Sequence, residues 1–135
     1  MQDDEELGLS EVGKLDIHTD EFQAKAAMFR EMWEWVDELV YRNNVLKGWT
    51  QDKKTVGEHI ALIHSEVSEA LEAFRWNNPV SKKIPKLTQV EEELADVIIR
   101  LMDLAHTKKL GIPRALFLKM EYNSTRPYKH GGKEF

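Results

Sequence analysis

From Phe22 onward, apolar residues recur at steps of three and four: Phe22, Ala26, Phe29, Trp33, Val36 and Val40. That spacing is the stripe of an amphipathic helix. Thr19 offers a hydroxyl cap, Asp20 and Glu21 suit the positive end of the helix dipole, and Asn43, Asn44 and Gly48 are expected to end the helix. A second helix opens at Thr55, where Glu58 completes a capping box, and its main stripe is Ile60, Ile63, Val67, Leu71 and Phe74. Thr88 and Glu91 repeat the box at the start of a third helix. There Val90, Leu94, Val97, Ile98, Leu101, Met102, Leu104 and Ala105 nearly encircle the axis, the pattern of a buried helix. Gly111 is placed to terminate it and Pro113 to begin a fourth helix reaching about Ser124. Four antiparallel helices with short links predict an all-α four-helix bundle.

The flanks lack this periodicity. Residues 1–18 read as a flexible acidic arm (Asp3, Asp4, Glu5, Glu6), residues 19–126 as the helical domain, and 127–135 as a basic, glycine-containing tail. At 135 residues, 41% hydrophobic and 32% charged, the chain suits one globular domain with its own core. It has no cysteine, which excludes disulfides and thiolate zinc sites. A net charge of -5 argues against a nucleic-acid surface. No apolar run approaches a membrane span of ~20 residues, so the expectation is a cytoplasmic protein with neither nucleic acid nor membrane as partner. The third helix is apolar on more sides than three neighbours would cover, which predicts a homo-oligomer, dimer or tetramer.

Within the second and third helices lie acids where apolar periodicity should exclude them. Glu66 and Glu69 fall off the main stripe of their helix, beside Leu62, Ala70 and Ala73. Glu93 and Asp96 share the narrow polar stripe of the third helix with Arg100, Asp103 and Thr107. A spacing of three puts each pair on one face, where like charges repel and burial adds several kcal/mol unless a cation compensates them. Carboxylate oxygens alone are a donor set for magnesium or manganese. The competing reading is a set of ion pairs: Arg100, four residues after Asp96, can neutralise either acid.

The ordered motifs HSEVSEALEAFRW, EEELADVIIRLMDLA and KMEYNSTRPYKHGGK resemble the MazG-like all-α nucleoside triphosphate pyrophosphatases, relatives of the dimeric dUTPases. The likeness runs from about Trp49 to Lys133. It implies a magnesium-dependent hydrolase that cuts an NTP or dNTP to the monophosphate and pyrophosphate, with Glu66, Glu69, Glu93 and Asp96 as metal ligands. It also implies substrate contacts from Lys119, Asn123, Arg126 and Tyr128. Many members carry a Glu immediately before the first ligand as general base. Here that position is Ser65, so Glu92, beside Glu93, is the substitute candidate.

Trp76 and Trp49 are candidates for stacking a nucleobase, against the alternative that each covers the rim of the bundle. Lys82, Lys83 and Lys86 read as a solvated connector, the alternative being a lid over phosphates. Two further functions remain open. One is a non-catalytic helical module that binds nucleotide or a partner helix, which Ser65 and Arg100 favour. The other is a metal-carboxylate oxidase, which requires Glu-x-x-His pairs that neither acidic motif supplies.

Overall fold

The computed structural model describes residues 13–49 and 53–127. Among the described residues there are four helices: α1 (Asp20–Leu46), α2 (Val56–Arg75), α3 (Gln89–Lys108) and α4 (Ile112–Ser124). The arrangement is all-α, and no strand occurs among the described residues. The chain divides into two compact units, one of Trp35–Leu110 and the other of the described residues on either side of it.

The three capped starts hold atom by atom. Thr55 Oγ1 accepts the Glu58 N–H (3.2 Å) while Glu58 Oε2 accepts the Thr55 N–H (2.6 Å). Thr88 and Glu91 exchange the same pair at 3.3 and 2.8 Å. Thr19 Oγ1 accepts the Phe22 N–H (3.2 Å) at the head of α1. Each box satisfies two backbone groups that the first helical turn leaves without partners.

The expected ends move. α1 runs past Asn43 and Asn44 to Leu46, and Gly48 then takes positive φ (+80°). Asn44 does not compete for its own backbone, because its side-chain amide donates to Asp103 Oδ1 (2.9 Å). α3 ends at Lys108, and Lys109, not Gly111, adopts the left-handed conformation (φ 54°, ψ 46°). The Leu110 N–H then reaches back to the Ala105 carbonyl (2.9 Å), closing the helix. Gly111, with negative φ, instead precedes α4, and Pro113 sits within the first turn rather than at its first position.

In the Trp35–Leu110 unit, α2 and α3 form a close hairpin. The face α2 buries is not its large apolar stripe. Glu66, Ala70, Ala73 and His59 are buried, whereas Ile60, Val67, Leu71 and Phe74 are exposed. Small side chains let helix axes approach closely, so the alanine sector wins the intrachain contact. α3 likewise is not buried all round: Met102, Leu104 and Ala105 are buried, but Leu94, Ile98 and Ile99 are exposed. Two apolar stripes are thus left uncovered in the single chain.

The connector between them is ordered. Asn77 and Asn78 take left-handed φ (63° and 46°), the Asn78 N–H bonds the Ala73 carbonyl (2.8 Å), and Val80 bridges Thr88 antiparallel. Ser81 is almost wholly buried. Its hydroxyl donates to Glu92 Oε2 and accepts the N–H groups of Lys83 (3.2 Å) and Ile84 (2.9 Å).

In the other unit, Phe117 of α4 takes edge-to-face contacts from Phe22 (5.3 Å) and Phe29 (5.4 Å) of α1. The described part of the acidic arm lies against α4: Ile17 is buried, and the Leu15 N–H bonds Ser124 Oγ (3.0 Å). Residues 1–12 and 128–135 lie outside the described residues.

Candidate metal centre

Three of the four predicted acids converge. Glu66 and Glu69 of α2 and Glu93 of α3 each offer a carboxylate oxygen, and these oxygens all lie within 4.8 Å of one another. Glu66 is buried, Glu93 half-buried and Glu69 exposed, so the trio runs from the helix interface to its rim. Asp96, half-buried one turn further along α3, stands outside that trio. Burial first, and the neighbouring Glu66 charge second, raise its carboxyl above the usual range. Glu93 is raised too, by burial and then by Glu69.

Two carboxylates about 5 Å apart repel by about 3 kcal/mol at an effective dielectric of about 20, less where water reaches Glu69. Among the described residues one direct cation opposes that repulsion: Arg100 Nε lies 2.5 Å from Glu66 Oε1. One guanidinium compensates one acid. Glu69 and Glu93 still lack a cation in direct contact among the described ion pairs. An all-oxygen donor set, partly desolvated and short of positive charge, fits a hard divalent cation.

Glu92, the substitute base, points elsewhere. It is buried, with Oε2 engaged by Ser81 and Oε1 3.0 Å from Lys83 Nζ. The Ser81 hydrogen bond, then Lys83, hold its carboxyl below the usual range, which weakens it as a base. Ser65 donates to the Leu62 carbonyl of its own helix (2.9 Å).

Trp76 caps the C-terminus of α2 with its ring exposed. Trp49, also exposed, borders a cavity of about 300 Å³ with Tyr41, His59, Asp103 and His106. It also borders one of about 180 Å³ that reaches Arg100 and Leu62. Lys119, Asn123 and Arg126 belong to the other unit and are exposed. Lys119 Nζ stands 4.6 Å above the Tyr122 ring, and the Arg126 N–H bonds the Asn123 carbonyl (3.1 Å). Tyr128 lies outside the described residues.

One polar cluster escapes motif reading. Asp103 accepts from Asn44 and lies 3.8 Å from His59 Nδ1. His106 stacks on Tyr41 (4.2 Å, 21°) with Nδ1 3.2 Å from Asp37 Oδ1. The Asp37 oxygen is buried and makes no aligned hydrogen bond. Burial raises the Asp37 carboxyl, against the lowering influence of His106. The available signal was Asp103, two turns beyond Asp96 on the same polar stripe of α3.

The chain is similar to dCTP pyrophosphatase 1 of Rattus norvegicus, 32% identical over 85 residues, covering 59% of this chain and 49% of that protein. It therefore spans about half the length of that curated relative. No protein-family model matches the chain, and no solved structure matches it. No helix among the described residues is long and apolar enough to cross a membrane.

Proposed function

We propose that this chain is a metal-dependent nucleoside triphosphate pyrophosphohydrolase, taking an NTP or dNTP to the monophosphate and pyrophosphate. The observation that carries the proposal is the convergence of Glu66, Glu69 and Glu93 oxygens, from two helices, within 4.8 Å. The partial similarity to a protein named as a dCTP pyrophosphatase supports the same class. In this reading Glu66, Glu69 and Glu93 hold magnesium, or manganese in its place, with Asp96 completing the set. Bound there, the cation would neutralise phosphate charge and acidify an attacking water.

The chain's own residues do the rest. Arg100 holds Glu66 in the cation's absence, and a bound cation would exchange one counter-charge for another. Lys119, Arg126, Asn123 and Tyr128 are assigned to the substrate, the Arg as a planar fork for phosphate oxygens. Trp49 and Trp76 are assigned to the base. Glu92, with both oxygens engaged and its acidity increased, suits holding the connector better than taking a proton. The uncovered stripes of α2 (Ile60, Val67, Leu71, Phe74) and α3 (Leu94, Ile98) are assigned to a second copy of the chain.

The Arg100–Glu66 pair favours a second reading, a helical scaffold without turnover. Pyrophosphate release from a panel of ribo- and deoxynucleoside triphosphates, with magnesium and with chelator, separates the two. Release that depends on magnesium and is lost in Glu69→Gln supports the enzyme. A folded chain that releases none across the panel and binds no metal overturns it.

A further inference from the structure

Three features of the connector converge on Lys83. Its backbone N–H bonds Ser81 Oγ (3.2 Å), and Ser81 is almost wholly buried and donates to Glu92. Its ammonium lies 3.0 Å from Glu92 Oε1, although the Lys83 side chain is 76% exposed. Its charge also bears on Glu93 and Asp96. A lysine at the tip of a loop ordinarily spends its charge in water, because ordering so flexible a stem opposes any surface ion pair. Here the loop is held by a buried serine and the ammonium is aimed by a buried glutamate.

The two cations beside the acids stand differently. Arg100 neutralises Glu66 directly, so a cation held by Glu66 would take the place of that guanidinium. Lys83 neutralises Glu92, whose oxygens face the connector, so metal binding does not displace it. A polyphosphate arriving with its metal carries more negative charge than the cation alone offsets, and oxygens remain to be met by protein donors. An exposed ammonium already held on Glu92, the neighbour of Glu93 in sequence, meets them with little reorganisation.

We infer that Lys83 is a phosphate-binding residue, anchored through Ser81 and Glu92, that contacts the polyphosphate of the metal-bound substrate. The inference rests on the pyrophosphohydrolase reading of the site and adds to it a ligand from the connector. As a compact point charge, Lys83 selects for negative charge rather than for a particular oxygen geometry.

The test uses the full chain and inorganic tripolyphosphate, titrated calorimetrically in the presence of manganese against wild type, Lys83→Met and Lys83→Arg. Lys83→Met keeps the apolar stem and removes the charge. It is expected to weaken tripolyphosphate binding about tenfold, equivalent to about 1.4 kcal/mol. Manganese affinity without phosphate should not fall, and the thermal midpoint should drop only slightly, because the Lys83 side chain is 76% exposed. Lys83→Arg should restore most of the lost affinity, and the gap between wild type and Lys83→Met should narrow as salt is raised. Equal tripolyphosphate affinity in wild type and Lys83→Met overturns the inference, as does a wild type that binds manganese but no tripolyphosphate. A wild type that binds tripolyphosphate through Lys83 yet releases no pyrophosphate from any nucleotide sinks the catalytic reading alone.

Discussion

Arg100 Nε lies 2.5 Å from Glu66 Oε1, tying α3 to α2 at the buried end of the acidic trio. Without a metal this guanidinium is the direct compensation Glu66 has. Arg100→Met should therefore lower metal-free stability by about 1–3 kcal/mol, less than a fully buried pair because Arg100 is partly exposed. Magnesium should recover most of that loss. Thermal unfolding with and without the metal reads both effects, and a loss that magnesium leaves untouched would tell against exchange at Glu66.

Glu69 is the exposed member of the trio. Glu69→Gln relieves a repulsion that water screens, so it should not lower thermal stability and should raise it by up to about 0.5 kcal/mol. It should still weaken manganese binding at least tenfold and abolish pyrophosphate release. Calorimetry with manganese checks the first effect and a product assay the second. Unaltered metal affinity would remove Glu69 from the ligand set.

The helix caps set an acid limit. Backbone hydrogen bonds from Thr55 and Thr88 hold the Glu58 and Glu91 carboxyls below their ordinary range. A depressed carboxyl stabilises the fold above its unfolded value, and the gain is lost as pH falls through the folded value. Glu91→Gln keeps an acceptor for the Thr88 N–H and removes the titration. Its thermal midpoint should fall less than wild type on acidification below the ordinary carboxylate range. Thr88→Ala should cost about 1 kcal/mol at neutral pH, by loss of the cap itself.

The uncovered stripes predict association. Leu71 and Ile98 are each about half exposed in the single chain, at 50% and 52%. Leu71→Glu or Ile98→Glu should leave the fold of one chain intact and shift sedimentation toward monomer. If both variants sediment as wild type does, the copy-to-copy assignment for these stripes fails.

Much of the fold was legible because helix starts are local. Thr55/Glu58 and Thr88/Glu91 specify their boxes within four residues, and the structure forms both. Helix ends were less so: Asn44 continues α1 because its amide finds Asp103, a partner 59 positions away. The strongest stripe of α2 does not name its neighbour, since periodicity shows which residues share a face and not what that face meets. The acids fared better: off-stripe placement beside Ala70 and Ala73 did put Glu66 at the helix interface. The engagement of Glu92 depends on Ser81, a connector residue that no periodic pattern singles out.

Ser81 has one more consequence, for digestion. The connector carries Lys82, Lys83 and Lys86 in exposed positions, a sequence that trypsin would ordinarily cut first. To enter a protease cleft, a segment must unwind locally, and here that means breaking the Val80–Thr88 bridge and exposing a buried hydroxyl and carboxylate together. These peptide bonds should survive limited trypsinolysis of the folded chain, and become cleavable when Ser81→Val frees the loop.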